Sequence, residues 1–202
     1  MAEVTEHWIV VGGDPAGRRS LDRPPAGTFR GYGIDLRVSL GPWPTDDAQA
    51  DLPLPLLIAG WLRGLEAPRV TASAELVEPG LPTEQCRQIG VQLAEQTARR
   101  AEPVGLLVVG DGAVAHTAQV TGTADPRAEP FDAAVAGALA AADPAGLLAL
   151  DASLGTELRA AGRAPWQVLA GAVQATGGDW RGELVYSEAP YGIAYHVALW
   201  QR

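Results

Sequence analysis

Apolar and polar positions follow two different periods along this chain. "HWIVVGG" (7–13) is a continuous apolar run closed by glycines and predicts a buried strand. "GIDLRVSL" (33–40) alternates and predicts a second strand; "PLLIAGWLRGL" (55–65) has helical spacing, and "RVTASAEL" (69–76) returns to strand. A helix opened by Leu81 or Pro82 is expected to run through Arg100, and "VGLLVVG" (104–110) is the clearest strand signal of all. The alanine-rich stretch 126–175 has large residues at helical intervals and predicts two or three helices, divided at Asp143-Pro144 and near Gly162 to Pro165. "GELVYS" and "IAYHVALW", joined by "APYG", predict two strands around a tight loop. This order is that of an α/β fold: a mostly parallel central sheet flanked by helices in three α/β/α layers. The segment "DPAGRRSLDRPPAGTFRGYG" (14–33) reads as a long polar loop, a kind that in compact domains often carries function.

Length and charge narrow the picture. The 202 residues predict one domain. Fifteen basic against 24 acidic residues give a net charge of −9, spread along the chain, which argues against a nucleic-acid partner. No apolar run is long enough to span a bilayer and the first residues lack a basic stretch followed by an apolar one, so a cytoplasmic protein without a membrane partner is expected. The single cysteine, Cys86, excludes a disulfide framework or a thiolate metal cluster, and its place in the 83–100 helix predicts a packed small hydrophobe.

Ligands of open parallel sheets bind beyond the carboxyl ends of the strands, where loops converge. "GGDPAGRR" and "GDGAVAHT" each follow a predicted strand, which makes Asp14, Arg18, Asp111 and His116 the candidate site residues. His116 is the candidate catalytic group, because imidazole exchanges protons near neutral pH. A loop histidine bonded to water or backbone fits the same position, and Asp111 fits a turn-tightening role as well as a binding one. His196, alternating with Tyr195 and Val197, reads as a partly buried structural residue, and no role is expected for His7.

The segments "GDGAVAHT", "DPRAEPFDAAVAGAL", "LLALD", "AGRAPWQVLAGA" and "GELVYSEAPYGIAYHVALW" together resemble class III extradiol dioxygenases. These are the LigB-type catalytic subunits of ring-opening enzymes such as protocatechuate 4,5-dioxygenase, with Memo proteins as relatives, and the resemblance is greatest to an actinobacterial LigB-like branch. It implies a single LigB-like domain over 1–202 and, at His116, a histidine that acts as acid/base toward catechol and bound oxygen, with Ala115 in place of the family's serine. It also implies Fe(II) held by two histidines and a glutamate. Those ligands do not carry over. "HWIVVGG" looks like the family's second strand, so the first strand and its histidine would lie upstream; Asp14 stands where the second histidine is expected, and Arg163 and Ala164 stand near the glutamate position. A missing first strand would leave a sheet edge open and favour a homodimer.

Three functions are therefore compatible with the sequence. The first is a LigB-like protein without dioxygenase activity that keeps its crevice for a small aromatic or anionic ligand, or for a partner. The second is an active metalloenzyme with an altered ligand set including Asp14 and His116. The third is a metal-free hydrolase or transferase with His116 as base and Arg18 or Arg19 holding an anion, although Ser20, Ser39, Ser73, Ser153 and Ser187 all lie outside any nucleophile-elbow motif.

Overall fold

The structure, a computed structural model, describes residues 5–43, 45, 46, 48, 52–118 and 122–202. The chain packs as two compact units, one of residues 1–78 and 97–109, the other of residues 79–96 and 110–202.

The first unit is built on a four-stranded sheet. Its strands are β1 (His7–Gly13), β2 (Arg19–Leu21), β5 (Thr71–Val77) and β6 (Val104–Val109), in the order β2-β5-β1-β6. β1 runs parallel to both neighbours, with His7 level with Thr71 on one side and Val104 on the other; β2 alone is antiparallel. The chain is thus α/β with a mostly parallel sheet, as the sequence predicts. Trp8, Ile9, Val10 and Val11 are all buried, which is why β1 reads as an unbroken apolar run instead of an alternating one. Helix α1 (Leu54–Glu66) carries Pro55 in its first turn, where a missing N–H costs no hydrogen bond. Its Leu56 and Ala59 pack into a cluster with Trp8, Val10 and Leu76. On the same helix, buried Arg63 donates to the carbonyls of Val70, Ser39 and Pro68.

The predicted strand at 33–40 is not formed. A 3-10 turn over Phe29–Tyr32 ends at Gly33 in the left-handed region, with φ 81°, and Ile34 and Leu36 point outward. Only β4 (Arg37–Val38) is extended, paired with β3 (Gly27–Thr28). Alternation without a neighbouring strand to bury its apolar side is not enough to make a strand. The expected long loop is likewise interrupted by β2, β3 and the 3-10 turn.

The second unit contains α2 (Thr83–Ala98) as far as residue 96, then α3 (Ala128–Ala141), α4 (Pro144–Leu148), α5 (Ala152–Glu157), α6 (Arg163–Thr176) and the antiparallel hairpin β7 (Arg181–Glu188) and β8 (Tyr195–Gln201). The break at Asp143-Pro144 falls where predicted: Asp143 caps the Ala145 N–H, and Pro144 cannot continue a helix. The 126–175 stretch yields four helices because Asp151 caps Leu154 and starts another. Arg163, fully buried, donates to the carbonyls of Pro79 and Leu81 and to Gln167, tying the start of α6 to the entry of α2. Cys86 is buried within α2.

Candidate functional site

The site is built around one carboxylate in the second unit. The buried face of α3 comprises Ala128, Phe131, Asp132, Val135, Ala138 and Leu139, so Asp132 occupies an apolar helical stripe. A carboxylate there needs partners, because an unpaired buried charge is strongly unfavourable. It has three. The backbone N–H of Ala113 donates to both Asp132 oxygens at 3.2 Å, His116 Nε2 lies 2.6 Å from Oδ2, and His196 Nε2 lies 3.3 Å from Oδ1.

The loop carrying His116 is held to these distances by its backbone. Gly112 N–H donates to Ala194, and Ala194 returns the bond to Ala113; Val114 donates to Leu158, and His116 to Gly192. At Gly112 a side chain is excluded: a Cβ would stand 2.5 Å from Asp132 Oδ1 and 2.8 Å from the Ala194 methyl. Gly192, with φ 75°, supplies the left-handed turn that lets the 189–194 link accept the His116 amide.

Burial pushes the Asp132 carboxyl up, but the hydrogen bonds from His196, His116 and Ala113 outweigh it and hold it below its ordinary value. An ionised carboxylate only accepts hydrogen bonds, so both histidines present Nε2–H to it when neutral. His196 then receives the Ser187 hydroxyl at Nδ1, 3.0 Å away, and its ring meets Trp166 edge to face at 5.9 Å. The side chain of His196 is only 2% exposed and that of His116 is 18% exposed. Nδ1 of His116 has no hydrogen-bond partner among the described residues and is left with its lone pair.

The other predicted site residues have separate surroundings. Asp14, in the first unit, accepts from the Ala16 N–H and pairs with Arg19, while Arg18 pairs with the buried Glu75, which also receives the Ser20 hydroxyl. Asp111 lies in the second unit on the His116 loop, where burial pushes its carboxyl up and its carbonyl accepts from Gly162. His7 bridges Thr71 and Ser73 across β5, its pKa lowered by burial and by Arg100. Asp132, His196 and Ser187 were not among the predicted site residues. The one sequence signal for them is the acid at position 132 in a run whose other members on that face are apolar.

Among the described residues no group of three or more His, Cys, Asp or Glu side chains could hold a metal ion. His116 and His196 direct Nε2 at Asp132 itself, so the three side chains bond to one another instead of converging on a common point. Among the described residues no helix is long and apolar enough to cross a membrane.

No protein-family profile matches the chain, and no curated protein does. Among solved structures it is similar to the uncharacterized protein JW3007 from Escherichia coli K12, at 15% identity and a TM-score of 0.52, over 97% of this chain and 86% of that one. At that identity the likeness establishes the α/β fold and nothing about activity.

Proposed function

We propose that this chain is a LigB-like protein without extradiol dioxygenase activity, which uses the surroundings of His116 to bind a small aromatic or anionic molecule in the cytoplasm. The observation that carries the proposal is a mostly buried but still accessible imidazole, 18% exposed and oriented by a buried carboxylate, with one ring nitrogen unbonded among the described residues. Asp132 selects the Nε2–H tautomer, so Nδ1 can accept a hydrogen bond from a phenol or take its proton. A catechol presents such a hydroxyl. No step through iron is part of the proposal, which uses only His116 and Asp132.

The test is calorimetric titration with catechol and small aromatic acids. Micromolar to millimolar binding is expected, weakened by about 1 to 3 kcal/mol in His116→Ala through loss of one buried polar partner. Equal affinity in both proteins would remove His116 from the site. Stoichiometric iron in the purified protein, lost in His116→Ala, would favour the metalloenzyme with an altered ligand set.

A further inference from the structure

A second chemical arrangement shares Asp132 but not His116. Ser187, His196 and Asp132 form a directed chain: the serine hydroxyl donates to His196 Nδ1 at 3.0 Å, and His196 Nε2–H donates to Asp132 Oδ1 at 3.3 Å. The polarity follows from the carboxylate, which cannot donate when ionised and so fixes the imidazole with its lone pair toward the serine. We propose that Ser187 is a nucleophile, with His196 its general base and Asp132 the group that orients the base, acting on small activated esters.

Three features of the fold favour this over an incidental cross-strand contact. The first is a β-bulge: the register passes from Leu184 opposite Ala198 to Tyr186 opposite Val197, so Val185 is the extra residue. Without it Tyr186 would face His196; with it Ser187 does. Bulges often re-aim side chains beside active sites. The second is the gradient of burial. His196 and Asp132 are enclosed while Ser187 is exposed, so the base is shielded from water and the hydroxyl is reachable. The third is Trp166, whose ring packs against the imidazole at an interplanar angle of 65° with centroids 5.9 Å apart. Here Nδ1, not Nε2, faces the serine, the reverse of the serine-protease arrangement; the roles depend on which nitrogen carries the lone pair, not on its label.

The chemistry balances without a cofactor. Ser187 Oγ bonds to the ester carbonyl carbon as its proton passes to His196 Nδ1 and the carbonyl π pair moves to oxygen. Collapse breaks the bond to the alcohol oxygen, which takes the proton from Nδ1. Water then attacks the acyl carbon, gives a proton to Nδ1, and releases the acid as that proton returns to Oγ.

The experiment is labelling of the full chain with a fluorophosphonate, followed by peptide mass mapping, alongside hydrolysis of p-nitrophenyl acetate. Wild type should carry one adduct on Ser187. Ser187→Ala, a change at an exposed position, should fold normally and lose both adduct and hydrolysis. His196→Gln, checked for folding by circular dichroism, should label at least about 100-fold more slowly, the usual contribution of a positioned base. No adduct on wild-type Ser187, or labelling at the same rate in folded His196→Gln, overturns the proposal. The adduct is read on Ser187 and catechol binding on His116, so either reading can fail without the other.

Discussion

Replacing Asp132 by alanine removes the acceptor on which two imidazoles and a backbone amide depend. Two of its donors have nowhere else to turn: the His196 side chain is 2% exposed and Ala113 is fully buried. Each buried donor left unsatisfied costs about 1 to 3 kcal/mol, so together they cost about 2 to 6 kcal/mol. His116, 18% exposed, can rotate to water and adds little. Against this stands relief from the desolvation of a buried carboxylate, which offsets part of the loss and leaves a net destabilisation of about 2 to 4 kcal/mol. Asp132→Asn keeps one acceptor oxygen but sets an amide N–H against a donor, and should cost roughly half as much. Urea titration at pH 7, followed by both circular dichroism and tryptophan fluorescence, reads the difference, provided the two probes coincide and the slope is unchanged. An Asp132→Ala protein within about 0.5 kcal/mol of wild type, the range of ordinary surface changes, would mean that the carboxylate does not organise the cluster.

Two further outcomes follow from buried charges. Arg163→Ala leaves the Pro79 and Leu81 carbonyls and the Gln167 side chain without their donor and opens a void, so a loss of about 3 to 5 kcal/mol is expected in the same titration, with a smaller loss for the volume-conserving Arg163→Met. Stability should also respond to acid with opposite signs at two carboxyls. Asp132 is held below its ordinary value, so its contribution is full above about pH 4 and is lost as pH falls through the folded value; Asp132→Asn should show less of this acid lability. Burial raises Asp111, so its contribution declines as pH rises from about 4 through the folded value, and Asp111→Asn should be more stable than wild type at pH 7 and level with it near pH 3.

The parts of this fold visible in the sequence are those whose burial is local and periodic. β1, β5, β6 and α1 carry apolar patterns that their neighbours in the sheet and core bury as the pattern implies. The 33–40 segment carries an equally good alternation, but its pairing is limited to Arg37 and Val38, and no periodicity reveals whether a partner strand exists. His116 stood out by residue type and by its place after a strand. Asp132 could have been noticed as a carboxylate on an apolar helical face. Ser187 could not, because its place opposite His196 depends on a single extra residue in β7, and shifting that register by one exchanges it for Tyr186.

The most direct test of the account is the protonation pattern of the two histidines on Asp132. Nitrogen-15 NMR of histidine-labelled protein, under conditions where the rings are neutral, distinguishes the tautomers. Both His116 and His196 should be protonated at Nε2 and bare at Nδ1, and in Asp132→Asn the preference should weaken at one or both rings. A wild-type His116 protonated at Nδ1 would contradict the account, because the nitrogen offered to a ligand would then be a donor and Asp132 would not be directing it.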